Sequence, residues 1–184
     1  MMSEPISRRV FTASVVTGAL ASAVPSLGQA PQQPAAPQDE QRDYPAPTFK
    51  PKHLKPVLGS TLVQDFVIFG HYDLDMVKLL LKKQPSVLNA TMDWGAGDWE
   101  TALGGASHMG RRDIALYLIE QGARPDIFTA TMLGHTDVVK SLITSHPPLA
   151  DAKGPHGIPL IAHAKMGGKE AEETLAYLTS LKKA

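Results

Sequence analysis

ETALGGASHMGRRDIALYLIEQGARPD, residues 100–126, holds two helix-forming segments joined by a glycine turn. The first, residues 101–108, is so rich in alanine and glycine that a second helix can approach it closely. Residues 111–121 form the second segment. There Ile114, Ala115, Tyr117, Leu118 and Ile119 recur at helical spacing and give an apolar face behind Asp113. Met109-Gly110 is the turn between them. Gly122 stands just past the second helix, where left-handed backbone costs least without a Cβ.

This helix–turn–helix unit recurs. Turn glycines fall at Gly70, Gly110, Gly134 and Gly167, spaced by 40, 24 and 33 residues. Each is followed by an acidic residue heading an apolar helix, at Asp75, Asp113, Asp137 and Glu173. Upstream, Thr61 with Gln64 three residues on predicts a capping-box start, and Val63, Phe66, Val67 and Phe69 supply the apolar face. Gly70-His71 ends that helix, residues 74–83 form the next, and Pro85 stops it. Self-similarity with a period near 33 residues marks a stacked helical array, in which no hairpin can bury its apolar side alone. The predicted class is all-α, a helical-hairpin solenoid with irregular fingers over residues 58–184.

The repeated segments resemble ankyrin repeats. Thr101-Ala102-Leu103-Gly104, Gly134-His135, Val138-Val139-Lys140, Gly122-Ala123 and the later Pro159-Leu160-Ile161-Ala162-His163-Ala164 carry the resemblance, which covers about residues 60–181. It implies a non-enzymatic protein-interaction module, with β-hairpin fingers between the helix pairs contributing the binding surface. It also implies that His135 hydrogen-bonds in its turn and ties neighbouring repeats together, with His71 in a similar place. The array departs from the family's pattern at three points. Too few residues separate Gly122 from Gly134 for a finger, so the third repeat should pass almost directly into a helix over residues 127–133. The second finger, residues 89–100, is long and carries both tryptophans, and the last helix, starting near Ala171, is displaced by three residues. The fourth finger, residues 151–157, keeps an acidic-turn-glycine pattern, and charged residues such as Glu172 and Lys182 suit a polar cap on the array's end.

Composition agrees with a helical protein: 43% of residues are hydrophobic and only 6% aromatic. Eighteen basic residues balance eighteen acidic ones, so there is no basic field to attract nucleic acid. The absence of cysteine excludes disulfides, thiolate nucleophiles, thiolate zinc sites and lipidated cysteines. Residues 1–30 join a positive start, Arg8-Arg9, to a short soft apolar run and a small-residue end, the form of an export signal. Arg8-Arg9-Val10-Phe11 resembles the twin-arginine type, although Thr12 and Ala13 depart from it; an ordinary secretion signal carrying two arginines is the rival. Both imply a periplasmic or otherwise exported protein with no stable membrane insertion once the signal is removed. Residues 31–57 hold seven prolines and read as a flexible spacer.

The distinctive loop is residues 93–100. Trp94 and Trp99 offer flat apolar surface among Asp93, Asp98 and Glu100, a combination suited to a protein partner, a sugar ring or a cationic ligand. The competing expectation is that one or both tryptophans fold back as a plug. Arg111 and Arg112 read as a solvated helix start or as further partner contacts. No local ligand ladder of the EF-hand kind and no HExxH run is present, and no two histidines stand at i, i+4, so the histidines read as structural and no metal or cofactor is expected. Ser107, His108 and Asp113 lack a nucleophile elbow. Leu116, where Lys78 and Lys140 stand in other repeats, reads as a contact with the spacer or with another chain, or as an incidental exposed side chain, and a self-associating structural protein is a third reading. The leading expectation is thus an exported, non-enzymatic module that binds a protein partner; the alternative is a small periplasmic enzyme, or a protein binding sugars or cell-wall fragments through the same loop.

Overall fold

The computed structural model describes residues 43–45, 47–49, 52 and 55–182. The expected export signal lies outside the described residues, as does most of the expected spacer. The chain divides into two compact units, residues 1–52 and 53–184, and the described helices and strands all belong to the second.

That unit is mostly helical. Its first helical hairpin is α1 (Ser60–Gly70) and α2 (Leu74–Lys83). A two-stranded antiparallel finger follows, β1 (Thr91–Asp93) and β2 (Trp99–Thr101). The remaining hairpins are α3 (Ala102–His108) with α4 (Arg112–Glu120), α5 (Ile127–Met132) with α6 (Thr136–Ser145), and α7 (Leu160–Met166) with α8 (Glu172–Leu181). Short 3₁₀ turns over Pro85–Asn89, Pro147–Asp151, Pro155–Gly157 and Gly168–Ala171 fill the joints.

Local chemistry sets these boundaries. Asp73, Thr101 and Asp126 cap α2, α3 and α5, each accepting a backbone N–H three residues on, at 3.0, 3.0 and 2.8 Å. The expected capping box at Thr61 and Gln64 does not form: α1 begins at Ser60 behind Gly59, and no side chain caps it. Three helices, α3, α4 and α5, end in the same way. Gly110, Gly122 and Gly134 have positive φ, and the next residue's N–H reaches back five residues to a helical carbonyl: Arg111 to Ala106, Ala123 to Leu118 and His135 to Ala130. This is the Schellman closure, for which glycine carries the smallest strain. Gly70 and Gly167, expected to be turn glycines of the same kind, keep right-handed backbone. Close approach is what requires glycine there, since a Cβ on Gly70 would lie 2.6 Å from the Ala102 carbonyl oxygen, and one on Gly167 2.1 Å from that of Met132.

The first helices of the hairpins pack in succession, α1 on α3, α3 on α5 and α5 on α7, and each also packs on its own second helix. Two apolar clusters result, one centred on Phe66, Val77, Ile114, Leu118 and Met132, the other on Val139, Ile143, Leu160 and Leu178. Buried hydroxyls cross the seams. Ser107 donates to Leu103 O and to Thr129 Oγ1, and Thr136 Oγ1 meets Thr174 Oγ1 at 2.8 Å. His135, expected to tie neighbours, is exposed and its ring makes no hydrogen bond among the described residues; Thr136 beside it supplies the link. No strand lies between Gly122 and α5. The segment before α7 closes on itself through an isolated bridge between Lys153 and Pro159. Helix α7 also reaches α3, and the residues ahead of α7 lie beside the β1–β2 finger, where the His156 backbone N–H donates to Asp98. Among the described residues, no helix is long and apolar enough to cross a membrane.

Candidate metal centre

The finger is built by its own side chains. Asp93 Oδ1 accepts from Gly95 N at 2.9 Å and from Gly97 N at 3.1 Å, and Trp94 and Asp98 close the loop through Trp94 N–H to Asp98 O. The strands pair Met92 with Glu100 and Asp93 with Trp99. Successive strand residues face opposite sides. Trp99 therefore points outward, 59% exposed, and Glu100 points inward, 1% exposed. Glu100 does not belong to an outer binding surface. Trp94 (40% exposed) turns back over Glu100, its indole N–H donating to Oε2 at 2.8 Å. The plug is therefore Trp94, and the ring left outside is Trp99.

Three imidazoles surround the buried carboxylate. His71 follows the last turn of α1, and its Nε2 is 3.2 Å from Glu100 Oε2. From the end of α3, His108 Nδ1 is 3.0 Å from Oε1. His156, in the segment ahead of α7, has Nε2 3.4 Å from Oε2. One donor atom from each of the four residues fits within 4.8 Å of the others. None of the three nitrogen–oxygen approaches has hydrogen-bond geometry. Glu100 Oε1 and His108 Nδ1 are buried and have no hydrogen-bond partner. Oε2 accepts from Trp94, so Oε1 is the carboxylate oxygen left without a partner, and an unpaired buried oxygen is costly.

The fold prepares two of the rings. His71 Nδ1 donates to Val67 O at 2.9 Å, which leaves the neutral ring's lone pair on Nε2, towards Glu100. His156 Nδ1 meets Asp98 Oδ2 at 2.7 Å and the His156 backbone N–H meets Oδ1 at 2.9 Å, so Asp98 grips both ring and chain. His156 holds φ +59°, uncommon for a residue with a Cβ, and the Asp98 clamp offsets that strain. Asp98 thus belongs to the cluster's outer support rather than to a free acidic surface. Glycine makes the remaining room: a Cβ on Gly105 would stand 2.6 Å from the His71 ring.

Charge follows geometry. Burial raises the Glu100 pKa, but His108 and His71 alongside outweigh it and hold the carboxyl down to about 2. Burial likewise opposes the charged form of His71, and contact with Glu100 and the Val67 carbonyl prevails, so its pKa is raised. The Asp98 carboxyl is lowered, first by the His156 backbone N–H.

Arg111 and Arg112, read as possible partner contacts, serve the seams. Arg111 forks onto Asp113 at 3.0 and 2.7 Å and donates to the Tyr72 carbonyl in the α1–α2 turn. Arg112 donates to Leu133 O at 3.1 Å, where α5 ends. His71, His108 and His156 are not legible as a group in the sequence, because they stand on separate segments and leave no ligand spacing along one helix. A shallow groove of about 500 Å³ between α2 and α4, lined by Lys78, Pro85 and Tyr117 among others, touches none of the four clustered residues. Comparison with protein families, curated proteins and solved structures finds no match to this chain.

Proposed function

We propose that the chain is an exported, non-enzymatic array of four ankyrin-type hairpins that binds a protein partner on its finger side. One repeated contact supports the array. Lys78 on α2 lies over the Tyr117 ring of α4 at 5.5 Å, and Lys140 on α6 lies over the Tyr177 ring of α8 at 5.7 Å. Lys78 and Lys140 each stand three residues after the helix's leading acid, and the two tyrosines four residues after theirs. Equivalent positions thus meet in the same way between hairpins one and two and between three and four, as translation along a stack requires.

For the partner surface, the supporting observation is Trp99, a large ring left outside on a finger whose loop is fixed by Asp93. A rigid aromatic anchor loses little ordering entropy on binding. Leu116 on α4, 45% exposed, offers a second apolar contact suited to self-association. Capture of a partner from extracytoplasmic extract should be lost on Trp99→Ala with the circular dichroism unchanged; equal capture by that variant removes the finger from the interface. Light scattering on Leu116→Lys tests self-association in parallel. Export is tested by fractionation, where joint replacement of Arg8 and Arg9 by lysine should hold the protein in the cytoplasm if the signal is of the twin-arginine type.

A further inference from the structure

We propose that Glu100, His71, His108 and His156 bind one divalent transition-metal ion, zinc being the best fit, at the base of the finger. This site does not rest on the partner-binding proposal; either can fail alone.

The donor set is three imidazole nitrogens and one carboxylate oxygen. Imidazole favours zinc and its transition-metal neighbours, whereas calcium and magnesium call for oxygen-rich shells that one carboxylate does not supply. Ligands held at about 2.0–2.2 Å by a tetrahedral zinc stand roughly 3.3–3.5 Å apart. His71 and His156 approach Glu100 Oε2 at 3.2 and 3.4 Å, His108 approaches Oε1 at 3.0 Å, and one donor from each residue lies within 4.8 Å of the others, so the set closes on an ion by side-chain shifts of about 1 Å.

Three observations separate this from an ordinary histidine–carboxylate cluster. First, the 3.0 Å approach of His108 Nδ1 to Glu100 Oε1 leaves both atoms buried without a hydrogen bond, where an imidazolium neutralising the carboxylate would make one. Second, the outer nitrogens of His71 and His156 are already spent on Val67 O and Asp98 Oδ2, so both rings turn an Nε2 lone pair inward. Outer partners of this type, a backbone carbonyl and a carboxylate, are those that orient metal-binding histidines. Third, the Trp94 indole N–H orients the carboxylate through Oε2, the oxygen that faces His71 and His156, while Oε1 beside His108 is buried and without a hydrogen bond.

Four protein ligands make a closed site, which assigns the ion a structural role rather than activation of a water. The ligands come from the end of α1, from β2, from the end of α3 and from the segment ahead of α7. An ion there would pin the finger to the first two hairpins and to the approach of the fourth, fixing the platform that carries Trp99.

The test is equilibrium dialysis of the full chain, stripped with chelator, against zinc chloride with elemental analysis, and against cobalt chloride with visible absorption. One equivalent of zinc and the intense absorption of tetrahedral cobalt are expected. Asp98→Asn, an outer partner, should weaken binding by about 10–100-fold. His156→Asn should weaken it further, while His135→Ala and His146→Ala, exposed elsewhere, should bind as the parent does. His156 lies outside the apolar clusters, so its variant decides the matter even where His108→Ala does not fold. Failure of the parent to retain zinc, or full retention by His156→Asn, overturns the site and leaves a proton-neutralised cluster.

Discussion

Gly105 shows how much a single missing methyl group decides. It sits within α3, where alanine is favoured over glycine by about 1 kcal/mol in helical propensity. Its absent Cβ is what lets the His71 ring lie against the helix, since that atom would fall 2.6 Å from the ring's Cε1 and Nδ1. Gly105→Ala should therefore separate two quantities that usually move together. Thermal stability of the chelated protein should change by less than about 1 kcal/mol, the propensity gain offsetting the displaced ring, while zinc affinity falls by an order of magnitude or more. Parallel calorimetry and dialysis on the variant read both, and an unchanged affinity would show that His71 stands outside the ligand set. His163 gives a second prediction at this scale. It is buried on α7 between Phe128 of α5 and His108 of α3, its Nδ1 bonded to Pro159 O at 3.1 Å. Burial lowers its pKa below 6.5, and His108 works in the same direction, against smaller opposing effects from the Pro159 carbonyl, Asp126 and Glu100. Below pH 6.5 the unfolded chain takes up a proton that the folded chain refuses, so stability is full above that pH and declines as pH drops through and below it. His71, with its raised pKa, contributes in the opposite sense over the same window, so the His163 share is read as a difference: in urea titrations with chelator across pH 5 to 7.5 the parent should lose stability relative to His163→Gln as pH falls.

At the scale of elements, the turns test whether glycine serves shape or space. Gly122 and Gly134 share positive φ and Schellman closure, yet their surroundings differ. A Cβ on Gly122 would meet only Leu88 Cδ2 at 4.0 Å, whereas one on Gly134 would fall 1.9 Å from the Glu170 carbonyl oxygen. Gly122→Ala should cost about 1–2 kcal/mol, the strain of left-handed backbone alone. Gly134→Ala adds a backbone clash with the fourth hairpin and should cost at least about 3 kcal/mol. Chemical denaturation of both variants measures the gap, and equal losses would mean that the fourth hairpin yields without cost. The same elements show what the sequence could say. Helix α2 was legible to the residue, because the apolar face of LDMVKLLLKK and Pro85 act locally, although its Asp73 cap was not read. Gly110, Gly122 and Gly134 were legible as turns for the same reason. Gly70 and Gly167 were misread because their need for glycine comes from backbone of another hairpin, which spacing along the chain does not reveal. The proposed ligand set was hidden for a related reason: its donors lie on four segments, and what brings His156 to Glu100 is the packing of the segment ahead of α7 against the finger, which lies in three dimensions.

For the whole molecule, the question is what ties its parts into one cooperative body. The two apolar clusters meet along α3 and α5, where short helices rich in small residues offer limited area, and hydroxyl pairs such as Ser107–Thr129 carry part of the contact. Ligands drawn from the first two hairpins and from the approach to the fourth span that seam. An ion bound to them favours only states in which both clusters are formed, so its binding free energy enters global stability by mass action. At free zinc 100-fold above the dissociation constant, the midpoint of urea unfolding should rise by an amount equivalent to about 2.7 kcal/mol. Chelator should reverse the shift, and in His156→Asn it should be absent at the same zinc concentration. Hydrogen exchange locates the effect: added zinc should slow amides in α1, α3 and α7 together, since all three elements lie next to ligand residues. Protection confined to the finger would instead describe an ion that orders residues 93–100 without coupling the hairpins. In that case the direct contacts of α3 and α4 with α5, Ser107–Thr129 and Arg112–Leu133 among them, hold the two halves together, and Ser107→Ala should lower the cooperativity of unfolding.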